Sequence, residues 1–142
     1  MLGGSMQPDR PALARAWLAT AVRDLRVADR IRDEEPSLAC FHAQQAAEKA
    51  LKCVAVLAIG DVARPHAFPH IVTELTAAGV TVPARVVRAC QVLERFYAAT
   101  RYPDAIGDVD PGEIFTVEDS RETYALGTVV IDFAREAMQT DT

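Results

Sequence analysis

Aromatic side chains are scarce in this chain of 142 residues: one Trp, three Tyr and five Phe, 6% in all. A β-sandwich fills its facing sheets with β-branched and aromatic residues, so this scarcity, with no apolar–polar alternation, argues against one. Cysteine is rare and unpaired. Cys40, Cys53 and Cys90 make an odd number without Cys-x-x-Cys spacing, which suits reduced packing thiols rather than disulfides or a zinc site. Positive charge is outweighed, 15 basic residues against 20 acidic, for a net −5. A protein that coats nucleic acid non-specifically has the opposite balance, so any RNA contact must be local. Long apolar runs are missing as well. The most apolar stretch, LKCVAVLAIG, carries Lys52 and is too short to span a bilayer. The start, MLGGSM, has neither the basic head nor the apolar core of a secretory signal. The expectation is a cytoplasmic protein without membrane contact. Residues 1–8 are set aside as a disordered or vector-encoded segment, 9–138 form one helical domain, and 139–142 are a tail.

Half of the residues are apolar, with a large share of alanine, and mean hydropathy is +0.05. That value suggests some apolar surface covered by a second subunit. Apolar residues recur at helical spacing in four long segments. The first, about 9–33, carries Leu13, Trp17, Ala21, Leu25, Ala28 and Ile31. The second runs from Pro36 to about 59 and stops at Gly60. A proline-bearing loop, 60–70, precedes a short helix over 70–78. Pro83 opens the next, about 83–100, and Thr116-Val-Glu-Asp119 is a capping box that starts the last, to about 138. Leu126, Val130, Phe133 and Ala137 make one stripe on that helix and Tyr124, Ile131 and Met138 another, which implies contact on both sides. The fold class is all-α, an up-and-down bundle of four long helices and one short one.

FHAQQAAEKALK, residues 41–52, is the most informative stretch. Gln45, Glu48, Lys49 and Lys52 share an arc of about 100°, flanked by Phe41 and His42. Ala43, Ala46, Ala47, Ala50 and Val54 take the opposite arc, where small side chains admit another helix. The plainest explanation of the polar arc is a solvated face with Gln45–Lys49 and Glu48–Lys52 neighbours, each worth about 0.2–0.5 kcal/mol. A second candidate is Thr100-Arg-Tyr-Pro-Asp104. Arg101 can clamp a phosphate, Tyr102 can stack on a base, and Asp104 can orient the guanidinium. The alternative is a local Arg101–Asp104 pair that closes a loop. Arg88 and Arg95, seven apart, extend a positive strip toward Arg101.

FHAQQAAEKALK, then His70 opening HIVTEL, then TRYPD at 100–104, in that order, resembles the HEPN domain family over about residues 12–137. What the resemblance implies is a helical bundle, usually a homodimer, often encoded beside a small nucleotidyltransferase in toxin–antitoxin-like pairs. Many members are metal-independent ribonucleases and others bind nucleotides. The ribonucleases carry Arg, four to six residues, then His. That His has the acid–base chemistry which cleavage without a metal needs. Here Arg101 is followed by Tyr-Pro-Asp-Ala-Ile-Gly, and no His occurs after His70. Arg64 and His70 have a matching spacing, but Pro65 and Pro69 between them deny a shared helical face.

The expectation is therefore a non-catalytic or weakly active HEPN-like domain. It would be a homodimer and the partner of a nucleotidyltransferase-like antitoxin, with a polar groove for nucleotide or RNA. The candidate binding residues are Gln45, Lys49, Lys52, Arg95, Arg101, Tyr102 and Asp104. A metal-independent RNase toxin using Arg101 and Asp104 is the alternative, and Tyr102 as a target of the partner enzyme is a third idea. No cofactor beyond a nucleotide ligand is expected. Nor is a metal: His66 and His70 are four apart, but Pro69 keeps them off one helix.

Overall fold

The computed structural model describes residues 9–60, 68–100, 104 and 107–140. Arg101, Tyr102, Arg64, His66 and the segment 1–8 lie outside them. The described residues are helical, without strands: α1 (Arg10–Ile31), α2 (Pro36–Ala58), α3 (Phe68–Ala77), α4 (Ala84–Glu94), α5 (Phe96–Ala99), a 3-10 turn (Pro111–Glu113) and α6 (Val117–Thr140). The four-long-plus-one-short plan read from the sequence is what the chain adopts. Two boundaries differ: the short helix starts at Phe68 rather than at 70, and the helix after Pro83 is interrupted. The helix expected over 83–100 breaks at Arg95, whose N–H reaches back only three residues to the Val92 carbonyl at 3.2 Å. The break lets Phe96 pack on Phe115, ring centres 5.6 Å apart.

Each helix ends for a local reason. Pro36 opens α2, where its missing N–H would have no partner anyway. Gly60 closes it at φ +99°, donating to the Val56 carbonyl at 3.0 Å. The Arg10 guanidinium donates to the Ile59 carbonyl at 3.2 Å, tying the start of α1 to the end of α2. The capping box of α6 is formed: Asp119 N–H donates to Thr116 Oγ1 at 3.2 Å, and Thr116 N–H to Asp119 Oδ2 at 2.9 Å. The short helix starts at Phe68, so Pro69 sits in its first turn, where a proline is tolerated.

Helix α2 is the centre of the bundle, packed on α1, α3 and α6. It runs antiparallel to α1, because Lys49 meets Asp24 while Arg10 meets Ile59. It runs parallel to α6: Thr123 bonds to Cys40, and Gly127 faces Ala43. Two parallel helices that would sit on a diagonal of an open bundle thus pack directly. Small residues make that approach feasible. Ala39, Ala43, Ala46, Ala47 and Ala50 are all at most 1% exposed, and a Cβ on Gly127 would stand 3.4 Å from the Ala43 carbonyl oxygen. Larger side chains, Leu51, Phe68, Ile71, Leu75, Leu93 and Ile131, fill the remaining core.

The two apolar stripes of α6 are covered inside the chain, by α1, α2 and α4. Val130, Ile131 and Phe133 are buried without a second subunit. Contact on both sides of α6 was the right expectation, but it does not call for a dimer. The sizeable apolar side chains left exposed among the described residues are Leu13, Leu38, Tyr97 and Ile114. No helix among the described residues is long and apolar enough to cross a membrane.

Candidate functional site

The alanine arc of α2 faces the core, and the opposite arc holds His42, Gln45, Glu48, Lys49 and Lys52, all half-buried. That arc does not simply lie in solvent. Lys49 reaches across to α1, its Nζ 2.6 Å from Asp24 Oδ2, and both side chains are less than a quarter exposed. His42 Nδ1 lies 3.4 Å from the other oxygen of the same carboxylate. Lys52 Nζ sits 4.8 Å from the centre of the Trp17 ring, a cation–π arrangement, and 3.8 Å from Glu48 Oε2. Trp17 and Asp24 are seven apart on α1, two turns on one face. An antiparallel neighbour can therefore meet them with Lys52 and Lys49.

Of the two neighbour pairs expected along α2, Glu48–Lys52 is present at the long end of ion-pair distance. Gln45–Lys49 is replaced by two other contacts. Gln45 Nε2 donates to Gln44 Oε1 at 2.8 Å, and Gln44 is buried. Lys49 prefers a carboxylate held in a partly dry setting to an amide in water. Such a charge-assisted bond is shorter and stronger than a neutral one.

The remaining candidates are less well assembled. Arg95 is exposed at the end of α4, and Asp104 is exposed. Arg88 is exposed too, so the strip of α4 arginines faces solvent while both lysines are engaged with α1 or with their own helix. The chain just before Arg101 is packed: Thr100 is buried, and α5 lies against α2. His70, expected as a hydrogen-bonded N-terminal residue of the short helix, is the third residue of α3. Its Nε2 stands 3.7 Å from Glu74 Oε1, beyond hydrogen-bonding reach. Among the described residues no group of three or more His, Cys, Asp or Glu is placed to hold a metal ion.

The thiols are inert. Burial pushes Cys40 and Cys53 up to about 11 and Cys90 up to about 12, and at Cys40 the bond from Thr123 offsets only part of this. Thiolate chemistry needs the reverse, a depressed value in a partly exposed electropositive setting.

Asp24 and Trp17 are what the sequence left unassigned. Trp17 counted as one more member of an apolar stripe, and Asp24 as one of several charges between such residues. Their spacing of seven on the face opposite a helix carrying Lys49 and Lys52 was the available signal.

An alanine-cored helical bundle with a half-buried polar face on its central helix defines the class of protein. The HEPN domain family profile matches residues 14–137, and the chain belongs to that family. The fold is similar to TT1696 from Thermus thermophilus, at 37% identity and TM-score 0.79, over 87% of this chain and 97% of that one. It is also similar to ST0689, an archaeal HEPN homologue, at 27% identity and TM-score 0.73, over 88% and 97%. No curated protein matches.

Proposed function

We propose that the chain is a non-catalytic or weakly active HEPN domain that works as the dimeric partner of a nucleotidyltransferase-like protein. Its polar α2 face would hold a nucleotide or RNA. The observation that carries this is the half-buried row of Lys49, Lys52 and His42, fixed by Asp24 and Trp17 rather than left as free surface charges. Holding two lysines this far out of water takes ordering and desolvation that a plain solvated face avoids. HEPN domains commonly dimerise, which supports a homodimer. The lack of any His after Arg101 favours binding over cleavage, since RNA transesterification without a metal needs a positioned acid–base group.

Calorimetry with ATP and GTP on the full chain tests the face, repeated with Lys49→Ala and Arg101→Ala. Binding by the wild type and loss in the variants is the expected result; no heat with either nucleotide removes the nucleotide reading. Light scattering at micromolar protein should return twice the chain mass. Incubation with RNA should leave it intact. Cleavage lost in Arg101→Ala would favour the ribonuclease toxin instead.

A further inference from the structure

His42 is not one of the residues that a phosphate clamp on this face would obviously use, yet its surroundings are built for one task. The Nδ1 atom is buried, without a hydrogen bond of normal geometry, and faces Asp24 Oδ1 at 3.4 Å. Asp24 is itself held by Lys49 at 2.6 Å. The ring packs edge-on to Phe41, centres 5.2 Å apart. Its other nitrogen, Nε2, is not among the buried unpartnered atoms, and among the described residues it has no hydrogen-bond partner. With the side chain 30% exposed, Nε2 is the nitrogen that meets solvent. The negative charge of a carboxylate beside Nδ1 favours a proton on that nitrogen, which leaves the open nitrogen an acceptor when the ring is neutral and a donor when it is charged.

The charges around the ring make that difference matter. Asp24 and Glu48 bring two negative charges, Lys49 and Lys52 two positive ones, so these four sum to zero. With a neutral imidazole these four leave no excess positive charge beside the ring. With an imidazolium there is one, aimed outward. Of the other elements packed on α2, helix α4 carries Arg88, Glu94 and, at its end, Arg95, with both arginines exposed. Helix α6 brings Asp119 and Glu122 toward Cys40, a half-turn from His42. Helix α3 carries the His70–Glu74 pair, α5 carries Tyr97, and the 3-10 turn carries Glu113, exposed.

We propose that His42, oriented by Asp24, is a proton-linked contact for a phosphate oxyanion, so that a ligand on the α2 face binds together with one proton. This rests on the nucleotide-holding function proposed above and adds the residue and the linkage. Imidazole is the side chain that changes charge between pH 5 and 8. By linkage, affinity through a single proton can rise at most about tenfold per pH unit as pH falls.

The test is calorimetric titration of the full chain with ATP between pH 5.5 and 8, in buffers of different ionisation enthalpy, for the wild type and His42→Gln. The terminal phosphate of ATP titrates in the same range, so the quantity read is the difference between the two proteins. The wild type should take up a proton absent in the variant, and its affinity advantage should grow about tenfold from pH 8 to pH 6. A second measurement on unmodified protein covers a variant that misfolds: the NMR titration midpoint of the His42 ring should move to higher pH when ATP is saturating. Equal proton uptake in both proteins, or an unmoved midpoint with ATP bound, overturns the role of His42 and leaves nucleotide binding standing. No ATP binding at any pH overturns both.

Discussion

Helix α2 has two faces that differ in how they are held. The buried face is made of Ala39, Ala43, Ala46, Ala47 and Ala50 with Cys40 and Cys53, and apart from the Thr123–Cys40 bond it is held by volume. Nothing on it is charged, and its fit against α6 depends on the lack of bulk at Ala43 and Gly127. The polar face is held by directed contacts to α1, each between named atoms: Lys49 to Asp24, Lys52 to Trp17. A face held by volume fails when anything is added. A face held by pairs fails when one partner is removed. The two faces therefore call for opposite perturbations.

The largest expected effect charges the buried face without altering its shape. A thiol whose pKa is raised by folding stabilises the fold below its unfolded value and loses that contribution as pH climbs through the folded value. Cys40 and Cys53 start from an ordinary 9.0 and stand at about 11 in the fold, with Cys90 at about 12. Stability should therefore hold up to about pH 9 and fall from there toward pH 11, by roughly 1–3 kcal/mol for each of Cys40 and Cys53. Urea midpoints measured at each pH check this, and Cys53→Ala should flatten the slope. A flat profile from pH 8 to 11 would mean that these thiols meet water.

Next in size is a change of bulk. Ala43→Leu would push extra heavy atoms into the α2–α6 contact, where the Ala43 backbone already lies close to Gly127. Overpacking typically costs about 1–3 kcal/mol, and a contact this close places the cost at the upper end of that range. Thermal or chemical denaturation should record a loss of that order.

The polar face should respond to removal instead. Asp24→Ala leaves Lys49 without a carboxylate and takes away the group that faces His42 Nδ1. The expected loss is about 1–3 kcal/mol, since a partly buried ammonium without its partner is worse than no ammonium at all. The double variant Asp24→Ala with Lys49→Met should recover part of it, and a thermodynamic cycle reads the recovery as coupling. Strict additivity would mean that the 2.6 Å contact does not survive in solution.

The same contrast explains what could be read in the sequence. Alanines at helical spacing, Pro36 before them and Gly60 after them signal a closely packed helix from local pattern alone, and Thr116 with Asp119 marks the start of α6 just as locally. The family resemblance draws on that helix together with His70 in HIVTEL and the TRYPD stretch. The polar arc could not be assigned in the same way, because its partners are about 25 and 35 residues earlier in the chain. Whether Lys49 is solvated or paired depends on the register of α1 against α2, which the spacing within α2 does not contain. The break at Arg95 was illegible for a similar reason: its consequence is a contact between Phe96 and Phe115, on separate elements. Arg101 and Tyr102 lie outside the described residues, so the sequence remains the source for their candidacy.

The smallest effect is the sharpest probe of how tight the volume-held face is. Gly127 lies within α6, where glycine costs about 1 kcal/mol relative to alanine. A Cβ there would stand 2.9 Å from Leu25 Cδ1 and 3.4 Å from the Ala43 carbonyl oxygen. The first neighbour is the end of a flexible side chain, which can turn aside; the second is backbone and can give only a few tenths of an ångström. Gly127→Ala thus sets the gain in helix propensity against a small repacking of Leu25. The net change should fall within about 1 kcal/mol of zero in a denaturant titration. Gly127→Val adds branched bulk against the same backbone oxygen and keeps only part of the propensity gain, so it should be clearly destabilising. If valine were tolerated as well as alanine, α2 and α6 would have to be able to separate, and the buried face would no longer be one held by volume.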